Sequence, residues 1–264
     1  MPSIRPHIIF TCLLSAGTLT FGQTPTVTNA SGANSRLVVS PDSIVSAWGT
    51  GLSTQTVAAS ITGMGPATLP NTLGGLQLSL KDSANATFQP ALYMVSPTQI
   101  NYVLPANIAL GTATLSISTS SGLTGPVYIS NVAPAIFTVN GTTATIPAAQ
   151  LVRYNSGAIT AVDLVYQVSS GDVTARQLNI SGSSGDSYYL MVYGTGVRRH
   201  SGNPVIATIG GTSVPVTYAG PQNQFPGFDQ INIGPLPVSL AGKGALDLVI
   251  RVDGVPANTV KLTF

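Results

Sequence analysis

Residues that could carry out covalent chemistry are scarce in this sequence. Histidine occurs only twice in the 264 residues, and one of the two lies in the apolar amino-terminal segment, which leaves His200. Ser201 follows it directly, so a serine–histidine–aspartate arrangement is the first possibility to weigh. The sequence lacks a Gly-x-Ser-x-Gly nucleophile motif, and a single histidine among polar loop residues is typically a solvated surface group. We therefore predict no catalytic residue.

Carboxylates and metal ligands give the same answer. All eight acidic residues are aspartate, and a glycosidase would need two of them across one cleft. Asp42 and Asp186 each precede an apolar run, where an aspartate typically caps a turn by accepting backbone N–H groups. The only cysteine, Cys12, is near the amino terminus, and no Asp-x-Asp spacing suggests calcium. We predict no metal and no cofactor.

Paired glycines occur at Gly49 and Gly51 and again at Gly194 and Gly196. A dinucleotide site would need a third glycine and a following helix whose amino terminus faces phosphate. Neither feature is present, so these glycines are interpreted as structural turn residues.

Aromatic residues in the second half are the remaining candidates for ligand contact. Tyr188, Tyr218, Phe225 and Phe228 could form a surface that contacts a sugar or a protein. Tyr188 is followed by Tyr189 on one predicted strand, so at most one of these two faces the core. The alternative is that most of these rings pack in the core or at its rim.

Composition indicates an all-β protein. Charged residues make up 7% of the chain, against about 25% in typical proteins, and hydrophobic residues make up 44%. The absence of glutamate removes a main component of the wet faces of helices. The net charge is +2 without a basic cluster, which argues against a nucleic-acid partner.

The amino terminus has the features of an export signal. Residues 1–22 contain Arg5, a short apolar run and small residues before Gln23, as a cleaved signal peptide does. The apolar run is shorter than the roughly 20 residues that span a bilayer, which disfavours the alternative of a membrane anchor. We predict a protein that is secreted, periplasmic or on the cell surface, with a flexible leader over 23–35.

Two internal repeats organise the rest of the chain. Residues 43–51 (SIVSAWGTG) return as 187–196 (SYYLMVYGTG), and Gln99-Ile100-Asn101 returns as Gln230-Ile231-Asn232. Short β-prone runs with turn residues between them are typical of sandwiches. We predict two tandem immunoglobulin-like β-sandwich repeats joined by a connector that contains a β-hairpin, with the first repeat at 36–132, the connector at 133–185 and the second repeat at 186–264.

The repeated amides allow two interpretations. Gln99 and Asn101, like Gln230 and Asn232, lie on one face of a strand, where they could hydrogen-bond a sugar. Alternatively they hold neighbouring loop backbone in place. Because a constraint of the fold recurs wherever the fold recurs, the structural interpretation is favoured.

The motifs also resemble a known family. The sequence carries 69–75 (LPNTLGG), Tyr93-x-x-Ser96-Pro97-x-Gln99, Ala133-Pro134-x-x-Phe137 and Tyr218-Ala219-Gly220. Together these resemble the Solibacter-type secreted C-terminal domain family, which is abundant in acidobacteria. The resemblance covers about 36–264 and implies tandem Ig-like domains in an exported protein without an established activity.

The functional prediction is a non-enzymatic adhesion or binding module whose partner is an extracellular protein or a polysaccharide. The alternatives are a secreted carbohydrate-acting accessory or small hydrolase, and a purely structural piece of a larger assembly whose strand edges pair between chains. An enzyme would bring His200 or two aspartates into one cleft. A binding module would not.

Overall fold

The computed structural model describes residues 24–29, 37–61, 67–119, 122–139 and 145–264. The predicted signal peptide, residues 1–22, lies outside these ranges. Within them the chain forms strands, turns and one 3₁₀ turn at Val238–Leu240, with no α-helix. The described part of the chain also holds no helix of the length and apolarity needed to cross a bilayer. The all-β prediction is confirmed.

The described residues of the first half form eleven short strands. They are β1 (Thr26–Asn29), β2 (Val38–Val39), β3 (Ile44–Trp48), β4 (Val57–Ala58), β5 (Thr72–Leu73), β6 (Leu76–Lys81), β7 (Thr87–Phe88), β8 (Ala91–Val95), β9 (Gln99–Val103), β10 (Gly111–Ile117) and β11 (Thr124–Ile129).

These strands form two sheets around one core. The first front sheet has the order β1-β3-β9-β8-β4, and the first back sheet has the order β2-β11-β10-β6-β5 with β7 beside β6. In β6, Leu76, Leu78 and Leu80 alternate with wetter residues and point inward, as their spacing predicts. They pack against side chains of the front sheet such as Leu92 and Tyr102.

Two polar groups of the first half matter for stability. The hydroxyl of Tyr102 is buried in this core and has no hydrogen-bond partner among the described residues. Asp82, at the end of β6, accepts backbone N–H groups of Ala109, Ala84 and Ala86, each at 2.9 Å. These bonds, that of Ala109 foremost, lower the pKa of Asp82.

Part of the predicted leader is a strand. Residues 26–29 pair antiparallel with β3, from Thr26 opposite Trp48 to Asn29 opposite Val45. Val27 is buried in the first core, and Thr28 accepts a hydrogen bond from the Trp48 indole at 3.0 Å. The threonines and the valine, which the sequence predicts to be part of a flexible leader, therefore form a strand in which polar and apolar residues alternate. A pattern of four residues is too short to reveal this.

Thirteen strands lie in the part of the second half that the structure describes. They are β12 (Ala135–Ile136), β13 (Ala149–Asn155), β14 (Ala158–Leu164), β15 (Tyr166–Ser169), β16 (Asp172–Ala175), β17 (Asp186–Thr195), β18 (Ile206–Ile209), β19 (Thr212–Val214), β20 (Val216–Pro221), β21 (Asp229–Ile233), β22 (Ala245–Val252), β23 (Val255–Pro256) and β24 (Val260–Thr263).

The predicted connector is largely part of the second sandwich. The second front sheet has the order β14-β13-β17-β21-β20 with β12 beside β17, and the second back sheet has the order β19-β18-β22-β23 with β24 beside β22. The hairpin predicted around 150–160 is β13 and β14, and it extends this front sheet. Only the small hairpin β15–β16 forms a separate two-stranded sheet.

The two halves share one strand order. In the front sheets, β1-β3-β9-β8 corresponds to β13-β17-β21-β20, and in the back sheets, β11-β10-β6-β7 corresponds to β24-β22-β18-β19. The register also matches, because Trp48 lies opposite Gln99 and Tyr193 lies opposite Gln230. The assignment of each half to the immunoglobulin-like class stays a prediction.

Even an irregularity recurs at the same place. A bulge interrupts the β8–β9 ladder between Leu92 and Met94, and another interrupts the β20–β21 ladder between Val216 and Tyr218. Each bulge lies opposite the asparagine of the repeated Gln-Ile-Asn motif. The conformation of Gly51 and Gly196 matches as well, since both have positive φ (67° and 74°).

The two sandwiches pack directly against each other. The Thr195 hydroxyl accepts the N–H of Ile44 and donates to the carbonyl of Gly227, both at 2.7 Å. Tyr93 of the first half donates its hydroxyl to the Pro226 carbonyl at 2.7 Å. Ile44 and Tyr93 belong to the core of the second half, so apolar contact continues across the junction.

Candidate functional site

The one histidine of the described chain is not arranged for catalysis. Ser201 donates its hydroxyl to Asp253 at 2.7 Å, without His200 between them. His200 instead approaches the Ala219 carbonyl with Nε2 at 3.3 Å, and its Nδ1 accepts the N–H of Gly202 at 3.3 Å. The imidazole therefore has no hydroxyl to activate, and the predicted catalytic alternative has no geometric support here.

The two candidate carboxylates have separate partners. Asp186 accepts the N–H of Ser183 at 2.9 Å and the side-chain amide of Asn155 at 2.8 Å, so it caps a turn as predicted. Asp42 instead binds Arg198 across the junction between the sandwiches at 2.8 Å. The two therefore belong to different polar clusters and do not form the facing pair that a glycosidase needs.

Arg198 lies at the centre of that junction cluster. Its guanidinium group donates to Asp229 at 2.6 Å, to Asp42 at 2.8 Å and to the Phe228 carbonyl at 2.8 Å. Asp229, which is 0% exposed, also accepts the N–H of Val197 at 2.7 Å. Burial raises the pKa of Asp229 to about 6, although Arg198 acts in the opposite direction. All three nitrogens of the guanidinium group are engaged, so this cluster is structural.

Three of the four predicted contact aromatics lie inside the protein. Phe228 stacks between Phe137 and Tyr193, with ring centroids 5.4 Å apart in both pairs, and Phe225 meets it edge-on. Tyr188 points into the same core. The predicted exposure of these three rings is therefore corrected. The alternative, that these rings pack in the core, applies to all three.

Tyr218 is the exception and lies on an open sheet face. It is 39% exposed and lies opposite Asn232, next to the bulge at Thr217. A side chain at Gly220 would meet the ring of Tyr218, and the Tyr218 hydroxyl donates to the Pro221 carbonyl at 2.5 Å. The ring therefore lies along β20 over the glycine and presents its other side outward.

A groove extends across the same outer face of the second front sheet. Its volume is about 400 Å³, within the range typical of small-molecule sites. We call it the tyrosine groove. It is lined by Val152, Tyr154, Gly157, Ser187, Tyr189, Met191, Thr217 and Asn232.

Two tyrosines from neighbouring strands form its floor. Tyr154 of β13 and Tyr189 of β17 meet edge to face, with centroids 5.3 Å apart and planes at 79°. Gly234 lies directly beside Tyr189, since a side chain there would come within 2.7 Å of the ring. The backbone of Gly234, at φ 144°, thus packs against the Tyr189 ring and fixes its position in the groove floor.

The repeated amides bond to each other in both halves. Gln230 donates to the Asn232 side-chain oxygen at 2.8 Å, and Gln99 donates to that of Asn101 at 2.9 Å. The predicted clamp on loop backbone is thus replaced, in the second half, by an amide pair along the strand. The burial of the pairs differs. Gln99 and Asn101 are 4% and 0% exposed, whereas Gln230 and Asn232 are half-buried, and Asn232 lines the groove.

Most groove residues were not predicted from the sequence. Ser187, Tyr189 and Met191 alternate along β17 with the core residues Tyr188, Leu190 and Val192. That alternation is visible in the sequence, and it places Tyr189 rather than Tyr188 outside. The missing information was the pairing of β13 with β17, which brings Tyr154 beside Tyr189.

The described residues contain no group of three or more metal-ligating side chains. No protein-family model and no curated protein matches the sequence. Among solved structures, the chain is similar to that described as Bacteroides ovatus mixed-linkage glucan utilization locus (MLGUL) SGBP-B in complex with mixed-linkage heptasaccharide. The identity is 11% and the TM-score 0.31, over 86% of this chain and 43% of that one. A similarity at this level does not identify a ligand for the present protein.

Proposed function

We propose that this protein is an exported, non-enzymatic module that binds polysaccharide in the tyrosine groove. The observation that carries the proposal is the lining of the groove: tyrosine rings, a methionine and neutral amide and hydroxyl groups on rigid strands. Aromatic rings cover the apolar C–H faces of sugars, and amides exchange hydrogen bonds with their hydroxyl groups. A site built on strands needs little ordering when a ligand binds.

The absence of charge in the lining supports binding over hydrolysis. Hydrolysis of a glycosidic bond typically uses a pair of carboxylates across a cleft. None of the residues that line the groove carries a carboxylate, imidazole or thiol group. The export signal predicted over residues 1–22 supports an extracellular or periplasmic polymer as the ligand.

The experiment is an affinity-gel assay of the purified protein with a panel of neutral and acidic polysaccharides. Binding of one polymer should be clearly weakened in Tyr154→Ala, because that change removes half of the groove floor. Tyr128→Ala is the matched control, since Tyr128 is 45% exposed on the first back sheet, in the other half of the molecule. The proposal is contradicted if no polysaccharide of the panel slows the migration of the wild-type protein. It is also contradicted if the protein releases reducing ends from any of the polysaccharides.

A further inference from the structure

We infer that the tyrosine groove recognises an interior segment, about three sugar units long, of a neutral polysaccharide chain. This inference rests on the proposed function and adds the charge, the length and the part of the polymer that is bound. Each of the three comes from a separate feature of the second front sheet.

The charge follows from where the ionisable groups lie. On the central strands, the charged side chains nearest to the groove residues in sequence are Arg153 and Asp186. Arg153 precedes the groove residue Tyr154, and Asp186 precedes the groove residue Ser187. Because successive side chains of a strand point to opposite faces, both charged groups point away from the groove. These two groups also pair with each other, at 4.0 Å. An acidic sugar would lose hydration in the groove without gaining a counter-ion, which disfavours it.

The length follows from the strands that the groove crosses. Apart from Gly157, in the turn after β13, its lining residues come from β13, β17, β21 and β20, which are neighbours in that order. Three strand spacings of about 4.8 Å give about 14 Å, the length of about three pyranose units in an extended chain. The volume of about 400 Å³ gives room for a ligand of that size on an open face.

The position within the polymer follows from both ends of the groove. Beyond Tyr154 the face continues onto the edge strand β14, where Ile159 lies opposite Tyr154 and is 49% exposed. At the other end Tyr218 lies exposed on the edge strand β20, in line with Asn232. Neither end carries a side-chain wall among these residues, so a longer chain can leave the groove in both directions.

Asn232 supplies the central polar contact. Its side-chain oxygen accepts the Gln230 amide, which orients the Asn232 side chain. Within the described structure no bond occupies the Asn232 Nδ2 group, so that group is available to donate to a sugar hydroxyl. Asn232→Asp keeps the acceptor for Gln230 and removes the donor, and it therefore separates a binding role from a structural one.

The test uses calorimetric titration of the full protein with oligosaccharides of two to six units from the neutral polymer retained in the affinity gel. We expect affinity to increase up to about three units and then level off, with no change when the reducing ends are converted to alditols. Oligogalacturonates of the same lengths should bind at least about tenfold more weakly. Asn232→Asp and Tyr154→Ala should each weaken binding about tenfold, and Tyr128→Ala should not.

Several outcomes overturn the inference while leaving the proposed function intact. They are equal binding of oligogalacturonates, dependence on the reducing end, affinity that still increases from five to six units, and wild-type affinity in Asn232→Asp. If neither a neutral nor an acidic polysaccharide binds the protein in the affinity gel, the proposed function fails, and the inference fails with it.

Discussion

Removing the guanidinium group of Arg198 is the sharpest test of what holds the two sandwiches together. In Arg198→Met the side chain keeps much of its apolar stem but loses its three donors. Asp229 is then left in a fully buried site with backbone N–H groups as its remaining donors. Asp42 has a side chain that is 34% exposed, so water compensates for its loss of the same partner.

The magnitude comes from the burial of Asp229. Removing one partner of a buried ion pair typically costs about 3–5 kcal/mol. In the wild-type protein Asp229 has a folded-state pKa of about 6, above the ordinary 3.8. Ionisation of this group therefore already lowers the free energy of unfolding as pH rises from about 4 to about 6. Without Arg198 the folded-state pKa rises further. Each added unit costs about 1.4 kcal/mol at a pH above both values.

We therefore expect Arg198→Met to lose up to about 3 kcal/mol at pH 8, because a carboxyl group whose pKa rises past 8 takes up a proton instead of paying a larger cost. The loss should be clearly smaller at pH 5, where the Asp229 carboxyl group is neutral. The measurement is the free energy of unfolding from urea titrations at both pH values. Combining the change with Asp229→Asn should remove most of the pH dependence. Arg199→Met is the control, because Arg199 is exposed and its side chain has the Ala106 carbonyl as its one acceptor among the described residues.

An equal loss at pH 5 and pH 8 would show that the cost arises from packing and not from the buried carboxylate. A loss below about 1 kcal/mol at pH 8 would show that the junction does not depend on this ion cluster.

The other predictions concern single sites. Tyr102→Phe should raise the free energy of unfolding by about 1 kcal/mol, because it removes a buried hydroxyl without a partner. Tyr93→Phe should lower the free energy of unfolding by a similar amount, because it breaks a hydrogen bond across the junction. Urea titration measures both changes. Gly234→Ala should destabilise by about 1–3 kcal/mol and weaken groove binding, while Gly242→Ala, also at positive φ but with open space around it, should leave binding unchanged. Asp82→Asn should lower the melting temperature at pH 7, and the difference should shrink below pH 4: the stability that the lowered pKa of Asp82 contributes is present above its ordinary value and is lost as pH falls. A difference that persists unchanged at pH 3 would contradict that assignment.

The fold class was predictable because the composition and the repeats act together. A chain without glutamate and rich in β-prone residues has little material for helices, and the recurrence of Gly-Thr-Gly and Gln-Ile-Asn predicts a shared arrangement. The observed registers, with Gln99 opposite Trp48 and Gln230 opposite Tyr193, show that this recurrence extends to individual pairs.

The boundaries were less predictable. β1 and the hairpin β13–β14 read as a leader and a connector, since neither belongs to a repeated motif. Each joins a front sheet through pairing with a strand distant in sequence, and such pairing leaves no local pattern.

The binding face was predicted only in part. Of the candidate contact aromatics, Tyr218 lies exposed, whereas Phe225 and Phe228 fill the core, because exposure depends on which neighbouring strands cover a side chain. The groove itself depends on the adjacency of β13, β17, β21 and β20, which is a property of the topology. Its residues are spread from Val152 to Asn232.

The matched bulges at Leu92–Met94 and Val216–Tyr218 have a consequence for protein engineering. Since backbone pairing, register and bulge coincide, the β20–β21 hairpin is a part that can be transplanted in place of β8–β9 with its ladder preserved. The exchange also removes Tyr93, whose hydroxyl donates to the Pro226 carbonyl across the junction. A chimera built this way would therefore separate what the matched ladder contributes to the folding of one lobe from what the contact between the lobes contributes.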